Sequence, residues 1–129
     1  MIGIDTNVLL RAFQIDDDPQ QSGRAKRVIK DNAPVFINDV VLAEFARVCK
    51  QTFKLDRSEI LLRLEAILES PEFAVARPLA VSRAVDRFRS KSSDFADWLI
   101  GESNLEYGCE ATLSFDKDVN KVSIFIPVP

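Results

Sequence analysis

The chain has 129 residues, room for one domain around a single core, and its apolar fraction of 47% and charged fraction of 29% are those of an ordinary globular protein. No apolar run nears the ~18 residues that a membrane span needs. The net charge of −3 does not by itself point to nucleic acid, and the absence of histidine excludes Ser-His-Asp and Cys-His hydrolysis, histidine-based ribonuclease chemistry and histidine-ligated zinc. Acid–base work must fall to carboxylates, lysine, tyrosine or metal-bound water. The start, M-I-G-I-D, has no basic segment followed by an apolar one, which predicts a cytoplasmic protein in which Cys49 and Cys109 are buried free thiols.

In chain order, I-G-I at 2–4 is a short apolar run ending at Asp5, and 6–14 has helical character. The segment D-D-D-P-Q-Q at 16–21 breaks the chain, with Pro19 early in the next helix, about 19–32. V-F-I at 35–37 predicts a second buried strand, followed by a helix over 40–54 with Val41, Leu42, Phe45, Val48, Cys49 and Phe53 at helical spacing. An amphipathic helix over 58–69 and an extended piece at 73–76 precede helices at about 79–90 and 95–107. The chain closes with strands at 111–115 and 123–126. Apolar strands alternating with helices predict an α/β fold, a single domain over 1–129 built as three α/β/α layers around a central, mostly parallel sheet of four to five strands.

Ligands of such sheets bind beyond the carboxyl ends of the strands. Three strands run into acid-bearing turns there, at Asp5, Asp39 and Asp116. Thr6 and Asn7 add oxygens beside Asp5. Glu44 falls at the edge of the apolar stripe of its helix, and Asp94 and Asp97 lie one turn apart on a narrow polar face continued by Gly101 and Asn104. Each position has a plain structural use as well. Asp5, Asp94 and Asp116 suit caps, Asp97 suits the first turn of a helix, and Glu44 suits a solvated helix edge. As a set, the carboxylates converging on one edge would repel unless a cation neutralised them, and an all-oxygen donor set suits Mg²⁺ or Mn²⁺. Cationic candidates for a phosphate backbone are Arg24, Lys26, Arg27 and Lys30; Arg47, Lys50 and Lys54; and Arg83, Arg87, Arg89 and Lys91. Arg11, close to Asp5, is the strongest single candidate.

M-I-G-I-D-T-N-V-L-L-R-A-F, I-N-D-V-V-L-A-E-F at 37–45, D-F-A-D-W-L-I-G at 94–101 and T-L-S-F-D-K-D at 112–118 together resemble the PIN-domain family, in particular the VapC toxin ribonucleases of VapBC toxin–antitoxin pairs. The resemblance covers essentially the whole chain. It places the family's acids on Asp5, Glu44, Asp97 and Asp116, with Asp94 as a frequent further acid and Ser114 where the family often has threonine. It implies a Mg²⁺- or Mn²⁺-dependent endoribonuclease, a homodimer and a VapB-like antitoxin partner. Asp5 and Asp97 would be central metal ligands, with Glu44 and Asp116 binding directly or through water. Thr6, Asn7, Arg11 and Ser114 would contact substrate or support the carboxylates. A metal nuclease acting on DNA and a non-catalytic binding module are the alternatives. A phosphotransfer receiver and a D-x-D dehalogenase are disfavoured because residues 5–7 are D-T-N.

Overall fold

The computed structural model describes residues 1–16 and 18–129, so Asp17, within the predicted break at 16–21, lies outside the described residues. The chain divides into two compact units, Met1–Ala76 and Arg77–Pro129.

In the first unit, α1 spans Thr6–Ala12, α2 Pro19–Asn32, β1 Val35–Ile37, α3 Asp39–Gln51, α4 Arg57–Glu69 and β2 Phe73–Val75. Val35 and Ile37, on one face of the strand, are fully buried, while Phe36 on the other face is half-buried. β1 pairs in parallel with β2, Phe36 opposite Ala74. On its other side it meets the N-terminal segment through a single parallel bridge, Gly3 to Phe36, in which Ile4 N donates to Phe36 O at 3.1 Å and Phe36 N to Ile2 O at 2.8 Å. Segment 2–4 is therefore one bridge rather than a strand, since three residues supply only these two bonds. α1 stops at Ala12, two residues before its predicted end, and Gln14 takes the left-handed conformation at φ 57°. Lys54, at φ 56°, likewise lies beyond the end of α3. The core gathers Leu9, Leu42, Phe45, Leu64 and Ile67, with the Phe13 ring 5.7 Å from Phe45 and 6.4 Å from Phe73.

In the second unit, α5 covers Pro78–Ser90, α6 Phe95–Tyr107, β3 Thr112–Ser114 and β4 Phe125–Pro127, with a 3₁₀ turn at Val119–Lys121. α5 and α6 pack on each other through an edge-to-face contact of Phe88 with Phe95. Trp98 is buried, its indole N–H donating to Ser93 O at 3.2 Å and its ring edge-on to Phe125. α6 ends in a Schellman arrangement. Gly108, at φ 109°, donates to Leu105 O, and Cys109 N donates to Asn104 O. β3 pairs in parallel with β4, Thr112 opposite Phe125.

The predicted sheet of four to five strands is not formed. Among the described residues the sheets are two parallel pairs, β1–β2 and β3–β4, with three residues in each strand. The elements are those of a mixed α/β chain with six helices among the described residues. Cys49 is buried as predicted, but Cys109 is exposed, because it lies just past the helix cap rather than on a packed face. Among the described residues no helix is long and apolar enough to cross a membrane.

Candidate functional site

In the first unit, segment 2–4 and β1 run parallel and both end in helix caps on the same edge. Asp5 caps α1, accepting from Val8 N at 3.1 Å, and Asn38 caps α3, accepting from Val41 N at 2.9 Å. The capping use of Asp5 is thus real, yet its side chain stays exposed at the strand end. Thr6, buried in the first turn of α1, donates through Oγ1 to Glu44 Oε1 of α3. This bond ties Glu44, otherwise an exposed residue on an amphipathic helix, to the turn that carries Asp5. Asp5, Thr6 and Glu44 therefore form one local group.

Beside that group lies a cleft of about 380 Å³ whose wall contains Asp5, Asn7, Arg11, Gln21 and Arg24 over an apolar floor of Val8, Ala25 and Val28. Arg11 Nη2 pairs with Asp16 at 3.3 Å, and its Nε is buried with no hydrogen-bond partner among the described atoms. Gln21 is held by α2's own start, where Asp18 accepts from the Gln21 backbone N–H at 3.1 Å.

In the second unit, Asp94 occupies the N-cap position of α6, and its backbone carbonyl accepts from Asp97 N and Trp98 N. Its side chain makes no capping hydrogen bond, so the capping role predicted for it is carried by position alone. Asp97 lies in the first turn, half-buried. Further along that face, an added Cβ on Gly101 would come within 2.7 Å of the Phe125 ring, and Asn104 Nδ2 donates to Thr112 Oγ1 at 2.8 Å. The chain reverses at Gly108, and β3 runs back along α6. Asp97 and Asp116 are seven and four residues from the Asn104–Thr112 contact, roughly 10 and 13 Å along helix and strand. Both acids thus lie at the same end of this unit. Asp116 sits in a tight turn beyond β3. Its N–H donates to Ser114 Oγ at 3.0 Å, and its Oδ1 accepts from Asp118 N at 2.8 Å. Ser114 is therefore a turn-former beside the acid.

Asp5 and Asp39 follow neighbouring parallel segments, but among the described residues β3, which leads to Asp116, pairs only with β4, so the prediction of three acids on one continuous sheet edge is corrected. Among the described residues, no group of three or more aspartate, glutamate or cysteine side chains could by itself hold a metal ion. Among the cationic candidates, Arg87 pairs with Glu102 at 2.7 Å and Arg89 with Asp86 at 2.6 Å, as Arg11 does with Asp16. Sequence reasoning passed over Gln21, whose only signal is its place one turn before Arg24. It also passed over Glu102, buried to 3% exposure, whose only signal is an acid among the apolar residues of α6.

The family model of the PIN domain matches residues 2–124. The chain belongs to the PIN domain family. Membership implies the three-layer α/β/α fold of that family, and PIN domains are in general nucleases, which typically use divalent metals. Compared with curated proteins, the chain has no match. The four acids that the motifs single out all fall inside the matched region.

Proposed function

We propose that this PIN domain is a Mg²⁺- or Mn²⁺-dependent endoribonuclease that hydrolyses RNA phosphodiester bonds, with residues 1–129 acting as one nuclease domain. The observation that carries the reading is the bond from Thr6 to Glu44, which ties two motifs 38 residues apart into one carboxylate group at the start of α1. A structural cap on α1 needs Asp5 alone and has no use for a second carboxylate fixed beside it.

The donor chemistry fits the cation. Mg²⁺ takes hard oxygen ligands, and it is commonly held by one or two carboxylates with water and substrate phosphate completing the shell, so a closed three-acid cage is not required. Asp5 and Asp97 would be the central ligands, with Glu44, Asp116 and Asp94 binding directly or through water. When bound, the metal supplies a water of lowered pKa and screens charge on the phosphate. Glu44, held by Thr6, orients the attacking water and accepts its proton. Asn7 and Ser114 hydrogen-bond carboxylate or phosphate oxygens. No protein nucleophile is required, which agrees with the absence of histidine.

The motif resemblance further supports a toxin role in a type II toxin–antitoxin pair, in the cytoplasm, as a homodimer opposed by a VapB-like antitoxin. Incubation of the protein with structured RNA and Mg²⁺ or Mn²⁺, with and without chelator, tests the activity. Asp5→Asn and Asp97→Asn are expected to lower cleavage by at least about 100-fold. Undiminished cleavage by both variants would overturn the mechanism. A wild-type protein that binds no metal in calorimetry and cuts no RNA would be a binding module instead. For the toxin role, growth arrest on expression and its relief by a co-expressed small DNA-binding protein encoded next to this gene are the expected results.

A further inference from the structure

The cleft between α1 and α2 shares Asp5 with the carboxylate group but is otherwise unlike it. Among the described residues its charged lining carries two guanidinium groups, Arg11 and Arg24, against the single carboxylate of Asp5. Arg11 does not swing freely, because Asp16 holds one end of its guanidinium at 3.3 Å. Its Nε is buried, but the side chain as a whole is 32% exposed, so the guanidinium keeps donors that an outside phosphate can reach. Arg24 is exposed on α2 and reaches the same space. Below the two arginines the floor is Val8, Ala25 and Val28, an apolar surface of the kind that takes a ribose face rather than a bare ion. A volume of about 380 Å³ is of the order needed for one nucleotide.

We propose that this cleft is a nucleotide subsite of the RNA-cutting centre: it seats the phosphate next to the one being hydrolysed on Arg11 and Arg24, with that nucleotide's sugar against Val8, Ala25 and Val28. The inference rests on the nuclease reading, because it is Asp5 on the cleft wall that puts the subsite one nucleotide from the metal. It also gives the two arginines unequal parts. Arg11, held by Asp16, sets where the phosphate sits, and the exposed Arg24 adds a second contact to it. A divalent cation on Asp5 would neutralise that carboxylate, so the subsite should hold RNA more tightly in the presence of metal.

The test measures binding of a labelled single-stranded RNA across a salt series, by the wild-type background in chelator and, in Mn²⁺, by the Asp97→Asn background, in which cleavage is expected to be at least about 100-fold slower. Arg24→Ala is expected to weaken binding about 10-fold and to lower the slope of log affinity against log salt by about 1. Arg24→Lys should recover most of the slope and less of the affinity, since a point charge replaces a fork. Arg11→Ala should act in the same direction, with its circular dichroism checked because it also releases Asp16. Arg57→Ala, an exposed cation on α4 that does not line the cleft, is expected to leave the slope within half a unit. Equal effects of Arg57→Ala and Arg24→Ala would mean diffuse attraction and would overturn the subsite, as would parental affinity in Arg24→Ala. If wild-type protein binds Mn²⁺ and cuts RNA while Arg24→Ala binds RNA normally, the subsite alone fails. If it neither binds metal nor cuts, yet RNA binding depends on Arg24, the subsite stands and the nuclease reading fails.

Discussion

The two units hold their acids in opposite ways. In residues 1–76, Glu44 owes its place to a bond from Thr6, a residue 38 positions away, so the group is assembled by tertiary contact. In residues 77–129, the backbone at Asp94, Asp97 and Asp116 is set by neighbours within four residues, through the first turn of α6 and the tight turn after β3. The scaffolds differ in the same sense. Below its acids the second unit is rigidly packed, with Gly101 against the Phe125 ring and Glu102 buried against Arg87, while the first keeps an open cleft beside Asp5. The contrast teaches that a carboxylate can be positioned by a long-range hydrogen bond on a loosely filled edge, or by local turns on a tightly filled support. Substitutions should tell the two apart.

The largest effect is expected in the second unit's support. Arg87→Ala strips the partner from Glu102, a carboxylate only 3% exposed, and should destabilise the protein by about 3 kcal/mol, read as a shift of the urea midpoint. Glu102→Ala should cost less, since the Arg87 side chain left behind is 28% exposed and can reach water. An equal cost for both would mean that the pair acts through packing rather than charge.

Gly101→Ala comes next. Its Cβ would lie 2.7 Å from Phe125 Cε2 and 2.9 Å from Ile124 Cδ1, and both side chains are buried, with Phe125 also packed on Trp98. Overpacking should outweigh the gain in helix propensity and leave a net loss of about 1–2 kcal/mol. A variant as stable as the parent in thermal melts would show that this face gives way more readily than its packing suggests.

Thr6→Val should do the reverse in the first unit, with little loss of stability, about 1 kcal/mol, but a fall in RNA cleavage of about 10-fold, because the support of Glu44 goes while the shape stays. Thr6→Ser should restore activity. Normal cleavage by Thr6→Val would break the comparison by showing that Glu44 needs no long-range tie.

The smallest effect concerns Cys49. Burial pushes its thiol from 9.0 up to about 11, partly opposed by the nearby Arg63 guanidinium. A raised folded value favours the protonated form, so this stabilisation is fully present below pH 9 and fades as the pH rises toward 11. Thermal midpoints between pH 8 and 10.5 should fall less in Cys49→Val than in the parent. Iodoacetamide should modify exposed Cys109 long before Cys49.

Local chemistry was readable in the chain. Pro19 opens a helix, Asp5 caps one, and Asp97 sits in a first turn, because caps and turns are decided within a few residues. The candidate acids were legible for the same reason, as polar residues placed where apolar runs stop. Less legible was how the strands pair. V-F-I, T-L-S and F-I-P are each three residues long, and nothing in so short a run states which partner it takes, so a continuous sheet was expected where two pairs occur. Cys109 was misplaced because a helix cap moved it off the packed face.

By itself, then, the sequence determined the alternation of helix and strand and the absence of histidine chemistry, and it named the candidate acids, all from composition and from patterns a few residues long. Tertiary structure alone decided that Thr6 reaches Glu44, that Arg11 and Arg24 face one cleft, and that Glu102 is buried against Arg87. The physical reason is range. A cap or a turn closes within three or four residues, whereas these contacts join residues 13 to 38 positions apart, which only the packing of whole helices brings within a hydrogen bond or across a cleft.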